Sequence, residues 1–315
     1  MSKNDIKKIL IIGATGGLAQ ITSRLLLRQD PSLQIIGIDT RDVSTIETMP
    51  NLTLMRMKYT RGNFENLFRD HQFDLVYHLA RISHSASGQD NLAKRLDLSV
   101  MGTSRILDLC LKFNVKKVVV LSTHHVYGAF PDNSVFLPED SPLRASMKFP
   151  ELRDVVEMDQ IATNWMWKNQ KNISTIVLRP CNIIGAQINN TMSQYLTNPY
   201  SPFPIDFNPK FQFIHEFDMA NVLVSCIDKI PMGIFNIATD EFISIREAMN
   251  TLGTKGIPFP MTIGSMIAKY LNVPEYLVEY LKFSCLIDNS EIKKYLGEDF
   301  FRFKIEETLK LIRLS

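Results

Sequence analysis

Short, uniformly apolar runs recur along this chain at Lys8 to Ile12, Leu33 to Ile38, Asp74 to Leu79, Lys117 to Leu121 and Ser174 to Leu178. Between them lie stretches with helical spacing, such as Ala19 to Arg28 and Leu98 to Phe113. A strand that is apolar at nearly every position, and not at every second one, must be covered on both faces. Helices between such strands then serve as crossovers, so the expected class is α/β with a doubly wound parallel sheet. The Pro-rich stretch Asn198 to Pro209 breaks this rhythm after Gly185. Beyond it, Ala220 to Ile227, Ile245 to Leu252 and Met261 to Leu281, the last interrupted at Pro274, read as helices.

Immediately after the first run comes Gly13-Ala14-Thr15-Gly16-Gly17-Leu18-Ala19, followed by a helical pattern. Glycines there let the backbone turn sharply and approach a pyrophosphate, which rests on the free amides and positive end of the next helix. Ala19 replaces a third glycine and still permits close helix-to-strand packing. Asp39 ends the second run, where a carboxylate accepts hydrogen bonds from ribose hydroxyls and repels an extra phosphate, which favours NAD over NADP. Arg41 argues the other way, since a guanidinium can hold a 2′-phosphate. Strand, loop, helix, strand and acid together describe a Rossmann-type nucleotide domain. The chain accordingly divides into a dinucleotide-binding domain at 1–180, with a return segment at about 208–240, and a smaller interwoven C-terminal substrate lobe at 181–207 and 241–315.

The formal net charge of +2 and the scattered Lys and Arg give no field suited to nucleic acid. Cys110, Cys181, Cys226 and Cys285 lie far apart and lack metal-ligand spacing, so buried thiols in a reducing, cytoplasmic setting are expected, with no metal. Ile9 to Ile12 is too short to span a membrane. The stripe Met266, Ile267, Tyr270 and Leu271 reads as core against a neighbouring helix, and no basic amphipathic face accompanies it.

Taken in order, these segments resemble the extended branch of the short-chain dehydrogenase/reductase superfamily, the NAD-dependent epimerases and dehydratases. Gly13 to Ala19 is similar to its dinucleotide loop, Asp74 to Ala80 to its fourth strand, and Gly102-Thr103 to its following helix. Ser122-Thr123 through Val126-Tyr127-Gly128 resembles its fifth-strand catalytic segment, and Leu178-Arg179-Pro180-Cys181-Asn182-Ile183-Ile184-Gly185 its sixth strand. Gln212 to Ala220 and Gly233 to Ala238 resemble later landmarks. The resemblance implies cofactor contacts at Gly13, Thr15, Gly16, Gly17, Leu18, Asp39, Leu79, Ala80, Ser122 and Pro180. It implies a substrate hydroxyl or carbonyl held by Thr123, and substrate contacts at His124, Asn182 and His215. A homodimer through two helices is the family's common assembly.

Such enzymes resemble one another in a Tyr that acts as acid and base and a Lys four residues later that lowers its pKa and holds the ribose. The Lys is needed because an unassisted phenol titrates near 10, roughly, and is a poor base at neutral pH. Here the matching segment is Glu151-Leu152-Arg153-Asp154-Val155, which puts Glu151 at the Tyr position and Val155 at the Lys position. Lys58 stands where the family has an Asp near the adenine, and Ser99 where it has an Asn that steadies the site. Glu151 could replace the base if burial raised its pKa, His124 or His125 could supply a proton, and Lys148 could reach in from upstream. Two readings follow: an oxidoreductase or epimerase acting on a secondary alcohol, ketone or nucleotide-sugar-like substrate, and a non-catalytic dinucleotide-binding sensor, scaffold or partner subunit.

Overall fold

The computed structural model describes residues 6–80, 96–264, 266 and 275–312. Its centre is a seven-stranded parallel sheet of β1 (Lys8–Ile12), β2 (Gln34–Asp39), β3 (Leu52–Arg56), β4 (Leu75–His78), β5 (Lys117–Leu121), β6 (Ser174–Pro180) and β11 (Gly233–Ile237). The spatial order is β11-β6-β5-β4-β1-β2-β3. The order reverses between β1 and β4, and in such sheets ligands bind in the crevice at the carboxyl ends of the strands beside that reversal.

Alternation along each strand explains why the runs are apolar throughout. Ile9 and Ile11 enter one core while Leu10 and Ile12 enter the other; Val119 and Leu121 part in the same way from Val118 and Val120. On the first face, α1 (Gly17–Gln29) packs against α6 (Glu216–Ser225). On the second, α2 (Arg61–Asp70) and α3 (Gly102–Lys112) bury Phe64, Phe68, Ile106 and Leu107. Each such side chain contributes roughly 1.5–3 kcal/mol of transfer free energy. Helix α4 (Arg153–Asn169) contributes to both cores, Val155 and Val156 on one side and Ala162 on the other.

The rest of the chain forms small ribbons. β7 (Asn182–Ile184) pairs with β10 (Phe213–His215), β8 (Tyr200–Pro204) with β13 (Lys255–Phe259), and β9 (Lys210–Phe211) with β12 (Ile243–Ser244). Helix α5 (Thr191–Thr197) starts at Asn190, whose side chain accepts from the Ser193 amide. Helix α7 (Ile245–Leu252) has the expected bounds. A capping box of Ser244 and Glu247 starts it, and Gly253 at φ +65° ends it. The short helices α8 (Glu275–Tyr280), α9 (Ser290–Leu296) and α10 (Ile305–Ile312) complete the chain. The first core runs without a break from the sheet into this lobe, from Ile9 through Met219 to Ile245, Tyr280 and Leu309.

Some boundaries moved. The helix expected at Ala220 begins four residues earlier, because His215 caps it by accepting from the Phe217 amide. The one expected from Leu98 is α-helical from Gly102, after a wider turn at Asp97–Met101. Met261–Ile263 is a single tight turn. Ile267, Tyr270 and Leu271 lie outside the described residues, and Met266 is exposed. Among the described residues no helix is long and apolar enough to cross a membrane. All four cysteines are buried free thiols.

Candidate dinucleotide and catalytic site

The glycine loop leaves β1 through Gly13, whose amide donates to the Ile38 carbonyl at 2.9 Å. Its φ is +91°, and a Cβ there would stand 2.8 Å from the Ala80 backbone, so glycine is required by conformation and by space. This close approach joins Leu79 and Ala80 to the loop. Gly16 is the N-cap of α1; no side chain caps that end, and its first turn carries no acidic residue. The amides and positive pole of α1 are therefore not neutralised by an acid of their own helix. Across from them lies the segment after β7: a Cβ on Gly17 would be 2.1 Å from the Gln187 carbonyl oxygen. That segment is held by Glu216, which accepts from the Gln187 amide at 2.9 Å, and by Arg24, which donates to the Gln187 side chain at 2.9 Å.

Asp39 is 4% exposed and ties β2 to the loop. Its carboxylate accepts from the Thr15 hydroxyl at 2.6 Å and amide at 3.1 Å, and from the Arg41 amide at 3.0 Å. The Arg41 guanidinium reaches it at 3.4 Å and is itself largely exposed. Burial opposes ionisation of Asp39, but the hydrogen bonds from Arg41 and Thr15 outweigh it and hold the carboxyl below its usual range.

At the end of β5 the arrangement is closed. Ser122 is fully buried and donates to Asp159 at 2.5 Å. Thr123 caps the turn His124–Val126 and sits 3.2 Å from His125 Nδ1. His124 Nδ1 lies 3.0 Å from the Pro180 carbonyl, which fixes the proton on that nitrogen. The rings of His124 and His125 lie 4.2 Å apart, and Tyr280 and Tyr276 of α8 meet His125 edge-on at 5.0 and 5.7 Å. Glu151 accepts from the Tyr276 amide at 2.8 Å, so its carboxylate caps the first turn of α8. Val155 is 3% exposed and packs in the first core. Lys148 pairs with Glu279 at 3.1 Å.

Two expected substrate contacts hold the fold together. Asn182 donates to the Gln212 carbonyl at 3.1 Å. His215, besides capping α6, stacks on Phe303 with centroids 3.9 Å apart, and burial lowers its pKa to about 4.

Sequence reasoning missed the network beneath this segment. Arg179 donates to Asp159 at 2.6 and 2.9 Å, to the Tyr127 hydroxyl at 2.9 Å and to the Glu139 carbonyl at 2.8 Å. Tyr127 in turn donates to Asn236 at 2.8 Å, and burial pushes its phenol up to about 12. The signal was available as a lone cation inside the apolar run from Thr175 to Pro180 and two acids, Asp154 and Asp159, on the buried face of α4, since such charges are seldom buried without a partner.

A sequence profile of the NAD dependent epimerase/dehydratase family matches residues 9–238, from β1 to the end of β11. The chain belongs to that family. One relative, an uncharacterized protein of Mycobacterium tuberculosis, is 26% identical over 92% of this chain and 79% of its own length. A UDP-glucose 4-epimerase of Caenorhabditis elegans is 23% identical over 81% of this chain and 85% of the relative. Among solved structures, UDP-glucose 4-epimerase of Thermotoga maritima with UDP-glucose superposes at a TM-score of 0.77 and 18% identity, covering 98% of this chain and 97% of that one. The dTDP-glucose 4,6-dehydratase of Bacillus anthracis in complex with NAD gives 0.76 and 17%, covering 98% and 96%. At such identities the epimerase/dehydratase structures establish the shared fold, and the roles of individual side chains must be argued from this chain's own geometry.

Proposed function

We propose that this chain is an NAD-binding member of its family that does not carry out the Tyr and Lys proton transfer its relatives resemble one another in. The adenosine diphosphate half of NAD fits the residues present. The uncapped amides at the start of α1 suit the pyrophosphate, and Asp39 beside Thr15 suits the adenine ribose. The nicotinamide half does not fit: Val155 is buried and apolar, so it can neither bond a ribose hydroxyl nor stabilise a phenolate. One observation carries the reading. Glu151, at the position of the acid and base, has its carboxylate on the Tyr276 amide at 2.8 Å, where it acts as a helix cap. The NAD held by the Bacillus anthracis neighbour supports the choice of cofactor. In this reading the protein senses or scaffolds through a dinucleotide.

A second reading is favoured by one contact. The Thr123 hydroxyl lies 3.2 Å from His125 Nδ1, a hydroxyl and imidazole pair able to pass a proton, at the end of the strand where the family's reaction takes place. It would make the chain an oxidoreductase or epimerase on a nucleotide-sugar-like substrate, of the kind named for its relatives. Incubation with NAD⁺ and UDP-glucose separates the two. No reduced nicotinamide and no epimerised sugar from the wild type is expected; turnover that disappears in His125→Ala would establish the second reading instead.

A further inference from the structure

Helix α8 is six residues long, whereas a helix alone in water needs roughly 12–15 residues to be even marginally stable. It is therefore held by its neighbours, and two of its polar ties come from one short stretch of chain. Glu151 accepts from the Tyr276 amide at 2.8 Å, and Lys148, three residues earlier in sequence, pairs with Glu279 at 3.1 Å. Glu279 also accepts from Lys282 at 2.9 Å. Burial opposes ionisation of Glu279, but the hydrogen bonds from Lys282 and Lys148 outweigh it and hold the carboxyl below its usual range, so the clasp is a pair of charges.

Two rings of α8 face the turn after β5. Tyr276 and Tyr280 are each 3% exposed, both meet His125 edge-on, and the Tyr280 hydroxyl reaches the His125 carbonyl at 3.4 Å. Thr123, which contacts the same imidazole, is 4% exposed. Cys285 belongs to this cluster too: its thiol lies 3.9 Å from the His124 carbonyl and is hydrogen-bonded to the Tyr280 side chain.

We propose that α8 is a self-occluding plug. Its two tyrosines cover the Thr123 and His125 pair, and the clasp of Lys148 and Glu151 keeps them there, so the Thr123 hydroxyl meets an outside molecule only when the clasp lets go. A helix cap and a partly exposed ion pair are modest ties, and their release opens this corner without unfolding the sheet. The plug rests on the packing of α8 and on neither reading of function. To the second reading it adds a regulator, since whatever neutralises Lys148 or draws α8 away shifts the population toward the uncovered pair.

The reporter is Cys285, followed with dithiodipyridine, a small neutral disulfide, and assigned by peptide mass spectrometry. In the native protein it should react faster than Cys110 and Cys226, which are fully buried on α3 and at the end of α6. Lys148→Glu, which repels Glu279, should speed Cys285 about tenfold and leave Cys110 and Cys226 unchanged, while Lys148→Arg stays within about twofold of the wild type. Carbethoxylation of His125 should rise together with the Cys285 rate. Melting curves check that Lys148→Glu folds, and Lys148→Met, which removes the charge and keeps the stem, serves if it does not. Equal Cys285 rates in the wild type and Lys148→Glu overturn the plug. So does an increase shared by all the thiols, which reports global unfolding. Adding NAD⁺ and UDP-glucose to Lys148→Glu separates the plug from the second reading: faster Cys285 reaction without turnover keeps the plug and overturns that reading alone, and turnover confined to the variant supports both.

Discussion

Two ends of one cleft are built differently. At the mouth of β1 the helix amides carry no side-chain cap, with Asp39 held beside them by Thr15 and Arg41, whereas at the end of β5 the polar groups of Ser122, Thr123, His124 and Glu151 are all engaged by neighbours within the chain. The first end is made of backbone: a positive φ at Gly13, a close approach to Ala80 and a helix pole. These are fixed by the fold and by three glycines. The second end is made of side chains, with Val155 in the core and Glu151 capping α8. Under the proposed reading, a dinucleotide fold keeps its anion seat without the proton chemistry, because different parts of the chain maintain them.

The largest expected effect comes from acid, and it falls on two buried histidines. His78, next to Leu79 and Ala80, and His215, under α6, both have their pKa lowered by burial to about 4. The unfolded chain takes up these protons near 6.5, roughly, so it binds more protons than the folded one between there and about 4. Stability should therefore fall as the pH falls through that window, by up to about 3 kcal/mol for each histidine. Urea midpoints across the window check this; His215→Gln should remove one share of the slope, and an unchanged slope would contradict the assignment.

Next comes Arg179→Met, which strands the buried carboxylate of Asp159 and should cost about 3–5 kcal/mol by denaturant titration. Arg179→Met with Asp159→Leu should recover most of that. If the single variant costs nothing, the network does not brace the segment after β5. Gly13→Val should destabilise by roughly 2–3 kcal/mol, since it forces a β-branched residue to φ +91° against Ala80, and should abolish dinucleotide binding. Glu151→Ala should cost only about 1 kcal/mol, the size of a lost cap, and leave NAD⁺ affinity unchanged. A large loss of affinity there would place Glu151 in the cofactor site and erase the contrast between the two ends.

How much of this was legible depended on whether a feature is local. β1 and β5 have the bounds their apolar runs indicate, since each strand is buried on both faces, and α7 has the expected bounds because its N-cap Ser244 and terminal Gly253 flank it directly in sequence. β3 went unseen: it is an edge strand, half-exposed along its length, with no uniform run to mark it. Gly13, Gly16 and Asp39 could be read because strand, turn and acid follow one another closely in sequence. The partners of Glu151 and His125 could not, because Tyr276 and Tyr280 arrive from more than a hundred residues away and carry no motif. The engagement of Asn182 by Gln212, 30 residues on, likewise carries no motif.

The central claim is that the adenosine diphosphate half of the site is intact and the nicotinamide half is not. Calorimetric titration with NAD⁺ and with ADP-ribose tests it directly. Equal affinities, within about twofold, are predicted, because the groups around Val155 contribute nothing to the nicotinamide. NAD⁺ binding tenfold or more tighter than ADP-ribose, a difference of about 1.4 kcal/mol, would show a working nicotinamide site and contradict the account.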